Sequence, residues 1–227
     1  MAMKIKLTLK DCGTGAGGFQ PGNTCASGGG GGGGGSTGGG GTPGGNPAAS
    51  NSNTPPDALD KLAKHGAIET RLDVANNPST PPATLALLSK DENERVRLGV
   101  ARNPKAPPDA LAKLSNDGGI EVRGEVARNR STPPRVLAEL SKDENERVRL
   151  GVARNPKAQQ ATLAKLSDDG VIEVRVGVAR NRSTPPRVLV RLSKDENYRV
   201  RLEVADNPRT PEATLDKLTD GGAGEVR

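Results

Sequence analysis

Arginine recurs along this chain in two settings, and each implies its own chemistry. Arg97, Arg123, Arg149, Arg175 and Arg201 each follow a valine, with an aspartate six residues earlier (Asp91, Asp117, Asp143, Asp169, Asp195). A guanidinium is a planar fork of donors that fits a carboxylate bidentately, so the pattern predicts an Arg–Asp ladder capping helix ends between neighbouring copies. A half-buried cation needs such a partner, which favours this reading over an arginine-lined groove for phosphates or carboxylates. Asn103, Asn129, Asn155, Asn181 and Asn207 recur at the same interval, each expected at a helix C-terminus bonding the turn backbone. The second setting is more exposed. Arg102, Arg128, Arg154 and Arg180 stand one position before the Asn, while Arg95, Arg147 and Arg199 alternate with Glu121 and Glu173. These seven arginines form the candidate interaction surface, as rows along a stack that an anionic partner could read. The plainer alternative is a solvated face mixed with glutamate.

Other chemistry has little to work with. His65 is the single histidine and fills the slot held by Asp in later copies. Cys12 and Cys25 are the two cysteines, too few with one His for most metal sites or nucleophile triads. Acidic pairs such as Glu92 and Glu94 fall in turns rather than in an apolar pocket. The glycine run at 28–35 lacks the Lys-Ser/Thr ending of a phosphate loop. One Phe, one Tyr and no Trp leave little for an aromatic ligand pocket or a base-stacking platform. The expectation is therefore no catalytic residues, no cofactor, no metal and no small-molecule substrate.

The elements that must position the arginines repeat with a period of 26. The anchor position runs Thr54, Thr80, Ala106, Thr132, Ala158, Thr184 and Thr210, giving six full copies and a partial seventh in 54–227. A fixed period of this size marks a solenoid. A second period of 52 lies over it: 91–105 and 143–157 share the string DENERVRLGVARNPK, whereas 117–131 reads DGGIEVRGEVARNRS. In the copy at 132–157, Thr132 suits an N-cap and Pro133 and Pro134 a first helical turn. Leu137 and Leu140 follow on one face. Asp143 with Glu146 reads as a capping box for a second helix, and Val148, Val152 and Ala153 form its stripe. Asn155-Pro156 stops it. A strand reading of Val148, Leu150 and Val152 competes, as in a leucine-rich repeat, but Gly124 and the recurring Ala break its alternation. Gln159-Gln160 in place of Pro-Pro predicts a less sharp helix start, and Arg130 and Arg182 in place of Pro a looser turn.

The rest of the chain divides into a short head at 1–27, with at most one strand around Ile5, Leu7 and Leu9, and a Gly/Ser-rich flexible linker at 28–53. The formal charge is +6 and the basic excess lies within 80–209, a mild field for anionic partners but no dense nucleic-acid stripe. No apolar run suits a membrane helix or a signal peptide, so a cytoplasmic location is expected. The chain stops at Arg227 inside a second helix, which predicts that the natural protein continues.

The string VRLGVARNPK at 148–157, followed by a TPP…L..L pattern at 184–192, resembles the leucine-rich repeat variant family. Val96-Arg97, Val100-Ala101, Asn103-Pro104, Leu111 and Leu114 carry the same signature. The resemblance implies an HEAT-like stack of alternating helices without strands, an interaction scaffold and no enzymatic activity. Some relatives carry a cysteine-rich iron–sulfur segment, but a four-iron cluster needs four thiolates and this chain has two cysteines. The fold expected is all-α: a right-handed α-solenoid of 26-residue two-helix repeats behind a disordered Gly-rich N-terminal tail. The function expected is a non-enzymatic scaffold with a protein partner; the alternative is nucleic-acid or polyanion binding through the arginine rows.

Overall fold

The computed structural model describes residues 44–222. The expected head at 1–27, the linker residues 28–43, Cys12 and Cys25 lie outside the described residues. Those described form fourteen helices and no strand. After a single turn, α1 (Pro47–Ser50), the chain runs as helix pairs: α2 (Pro56–His65) with α3 (Ile68–Asn76), α4 (Pro82–Leu88) with α5 (Glu94–Arg102), and α6 (Pro108–Leu114) with α7 (Ile120–Arg128). There follow α8 (Pro134–Leu140) with α9 (Glu146–Arg154), α10 (Gln160–Leu166) with α11 (Ile172–Arg180), and α12 (Pro186–Leu192) with α13 (Tyr198–Asp206). Helix α14 (Glu212–Gly222) opens a further copy. The helical reading of the Val-x-Leu-x-Val segments holds and the strand reading does not.

From α4 to α13 the first helix of each copy has seven residues and the second has nine. Leu85, Leu111, Leu137, Leu163 and Leu189 of the first helices are fully buried. So are Val96, Val122, Val148, Val174 and Val200 of the second, with Ala101, Ala127, Ala153 and Ala179. One copy holds too few such side chains to offset the ordering of its own backbone, so the copies are stable only against each other. The nine-residue helices form the tighter row, each packed directly on the next. Small residues permit this: a Cβ on Gly151 would lie 2.8 Å from the Cβ of Ala127, and one on Gly177 3.0 Å from that of Ala153.

The local chemistry differs from the sequence expectation in several places. Thr132 is not an N-cap. That position belongs to Pro133, and the buried Thr132 hydroxyl donates to the Val126 carbonyl at 2.6 Å. Thr80, Thr184 and Thr210 do the same with Val74, Val178 and Val204. Asp143 is not the second cap either. Asn145 caps α9, its side chain accepting from the Arg147 N–H, while Asp143 accepts from the Asn145 N–H. The reason is that the Asp carboxylate is wanted elsewhere, as described below. Gln159 takes the same extended backbone as Pro133, and α10 starts where its equivalents do. The turn after Asn129 closes with the same 3.1 Å bond as the one after Asn155, despite Arg130. Packing between copies imposes the turn geometry that proline was expected to supply.

The linker expectation fails for its last residues. Ala49 is fully buried, and the Asn77 side chain donates to the carbonyls of Ala49 and Asn51 at 2.8 and 2.9 Å. Thr54 bonds the Ala48 carbonyl just as Thr80 bonds that of Val74. Residues 46–54 thus follow the register of 72–80 and form the end of an earlier copy. Composition hid this, because Asn, Pro, Ala and Ser are also linker residues.

Candidate interaction face

Two hydrogen-bond ladders fix the copies in register. Each recurring Asn is buried at the end of a nine-residue helix, and its amide donates to two carbonyls of the preceding copy. For Asn103, Asn129, Asn155 and Asn181 these bonds are 2.7–3.0 Å, to the Ala 28 residues back and the Asn 26 back. Asn207 donates likewise to Ala179 and Asn181. The Asn oxygen also accepts from the N–H two residues on, as Asn155 does from Lys157.

The arginine ladder has a longer stride than the sequence suggested. Arg97, Arg123, Arg149 and Arg175 donate bidentately to Asp117, Asp143, Asp169 and Asp195, 20 residues ahead, with Nε–Oδ2 distances of 2.6–2.7 Å. Arg71 does the same with Asp91. The aspartate six residues behind is met only through its backbone: Arg149 Nη1 donates to the carbonyls of Asp143 and Glu144. Arg201 holds the carbonyls of Asp195 and Glu196. These aspartate side chains are only 7–9% exposed. Burial alone would raise their pKa. The arginine hydrogen bonds, a backbone N–H and two guanidinium charges outweigh it and hold all five carboxyls below the usual range.

The exposed arginines sit on the outward face of the nine-residue helices, where residues at i, i+3 and i+7 share one side. Arg95, Arg147 and Arg199 hold the second helical position, alternating along the stack with Glu69, Glu121 and Glu173. Arg147 lies 3.7 Å from Glu121 and Arg199 3.3 Å from Glu173. Leu98 and Leu150 come next, partly buried, with Leu202 half exposed; in the copies between, this slot holds Gly124 and the buried Val176. Arg102, Arg128, Arg154 and Arg180 close the helices as an outer row.

That outer row is unevenly neutralised. The Glu125 carboxylate lies between two of its members, 3.6 Å from Arg102 and 3.2 Å from Arg128. Glu203 pairs with Arg180. Gly151 and Gly177 occupy the position of Glu125 in the next two copies, and the Arg154 guanidinium, among the described residues, has no acidic partner. Glu125, Glu203 and the leucine row were not singled out from the sequence. The signal for the two glutamates was there, as variation between Gly and Glu at one fixed place in the period.

The described residues therefore define a helical repeat solenoid, held by internal ladders and presenting a mixed arginine, glutamate and leucine face. The leucine-rich repeat variant profile matches residues 94–118 and 172–197. A solved structure described as a leucine-rich repeat variant with a novel repetitive protein structural motif is 26% identical, covering 76% of this chain and 72% of that one at a TM-score of 0.55. The resemblance to the leucine-rich repeat variant family read from the sequence is borne out at these two stretches and in the helical repeat fold. A designed armadillo repeat protein in complex with the peptide (KR)4 is 18% identical over 75% of this chain and 98% of that one, at a TM-score of 0.38. No curated protein matches the chain. No helix among the described residues is long and apolar enough to cross a membrane.

Proposed function

We propose that this chain is a non-enzymatic scaffold that holds a protein partner along the outward face of its nine-residue helices. The observation that carries the proposal is the arrangement of that face, where Leu98, Leu150 and Leu202, one in every second copy, lie between two charged rows. An apolar centre with a polar rim is the usual anatomy of a protein interface. The titration pattern supports a non-catalytic reading. The ladder carboxyls are pushed down and pinned to arginines, the opposite of a proton donor tuned upward toward neutrality. The polyanion alternative draws on the same arginines but has weaker support, because Glu121, Glu125, Glu173 and Glu203 neutralise much of both rows.

The test is site-specific photocrosslinking in lysate of the source cells. A photoreactive residue at position 150 is expected to capture a discrete protein, whereas one at Arg135, exposed on the seven-residue row, is not. Equal capture at both sites, or none at 150, would overturn the reading.

A further inference from the structure

Resting on the scaffold reading above, we infer that Arg128, Arg154 and Arg180 read the carboxylates of an extended acidic segment of the protein partner. The chain itself shows the mode of contact. Glu125 places one carboxylate between the guanidiniums of two successive copies, Arg102 and Arg128. Between Arg128 and Arg154, and again between Arg154 and Arg180, the equivalent residues are Gly151 and Gly177, which bring no carboxylate. The glycines have a packing cause, since their Cβ atoms would crowd Ala127 and Ala153. The outcome for the row is that both intervals lack an internal acid; Arg128 and Arg180 at their outer ends already meet Glu125 and Glu203, and Arg154, shared by both intervals, is the one that meets no acid among the described residues.

The spacing selects the form of the segment. Packed helices stand about 8–10 Å apart, so the intervals along the row repeat at that distance. A polyproline II segment rises about 3.1 Å per residue with three residues per turn, which puts every third side chain on one edge about 9 Å apart. A segment with Glu or Asp at every third position matches the row, with an apolar residue between available to Leu150. The neighbouring Glu121, Glu125, Glu173 and Glu203 disfavour a nucleic-acid strand, whose charges are closely spaced and continuous. One effect opposes any anion here: each helix ends with a macrodipole equivalent to about half a negative charge. A full guanidinium charge at the last residue of each helix outweighs it, and the terminal Asn N–H groups already occupy carbonyls there.

The experiment is fluorescence anisotropy on the full chain with three probes. They are a peptide of repeated Glu-Ser-Leu, a peptide of the same composition with its glutamates contiguous, and a single-stranded oligothymidylate. The expected result is tightest binding of the period-three peptide, weakened roughly tenfold by Arg154→Gln. Arg135→Gln, which removes the same charge from the seven-residue row, is expected to change it less than about twofold. Glu125→Gln frees two arginines and is expected to strengthen it. Equal losses in the two arginine variants, equal binding of the contiguous peptide, tighter binding of the oligonucleotide, or no binding of the period-three peptide would each overturn the inference. Crosslinking at position 150 separates the two readings: a captured protein with no peptide preference sinks only the acidic-segment inference, whereas loss of capture removes the scaffold reading beneath it.

Discussion

Arg149 reaches in both directions along the stack: its Nε and Nη2 bond the carboxylate of Asp169, 20 residues ahead, while its Nη1 holds the carbonyl of Asp143 behind. Removing it leaves the buried Asp169 carboxylate with only the Val171 N–H as donor and takes the guanidinium from two turn carbonyls. Arg149→Ala is expected to cost roughly 2–3 kcal/mol, against less than about 0.5 kcal/mol for Arg154→Ala on the exposed row. Urea melts of the two variants check this, and equal losses would contradict it.

The ladder aspartates also set an acid limit. Each folded-state pKa is depressed, so the stabilisation is complete above the unfolded value of about 3.9 and is lost as pH falls through the folded value. Urea midpoints should hold steady from neutral pH to about 5 and then drop steeply below about 4. Asp169→Asn should start less stable and show a shallower acid decline. A midpoint that rises on acidification would oppose this account.

Asn155 donates to two buried carbonyls of the preceding copy, that of Ala127 and that of Asn129, the second of which also accepts from the Thr132 N–H. Asn155→Ala should destabilise by about 1–2 kcal/mol, because the buried Ala127 carbonyl is left unsatisfied and that of Asn129 loses one of its two bonds. Hydrogen exchange should quicken first in the two turns it joins, around 129 and 155.

Residues 46–54 act as the closing turn for the first full copy. Ala49→Glu would force a charge into a fully buried site, and hydrogen exchange across 68–80 should rise while the copies beyond 132 stay protected. Unchanged protection at 68–80 would mean that this segment contributes nothing to the stack.

Much of the architecture was legible because one copy explains the next. The period of 26 placed Val96, Val100, Leu111 and Leu114 in the core, and helix was favoured over strand by Ala101 and Gly124. What stayed hidden was which copy supplies each partner. Asp91 and Asp117 stand 6 residues before and 20 residues after Arg97, and in a repeat those two places look identical in sequence. Only packing decides between them. The Asn amides were hidden for the same reason, since their acceptors are backbone carbonyls of another copy. Thr132 was misassigned because a hydroxyl before Pro-Pro resembles a cap, whereas burial turns it back toward Val126. Segment 46–54 was missed because its register match to 72–80 lies beneath a linker-like composition.

The alternation of Glu69, Arg95, Glu121, Arg147, Glu173 and Arg199 limits how such an array can grow. Inserting or deleting one copy inside the array would set two glutamates or two arginines side by side, whereas an even number preserves the pairing. Within the array, a change of 52 residues rather than 26 keeps every exposed Glu–Arg neighbour pair in place.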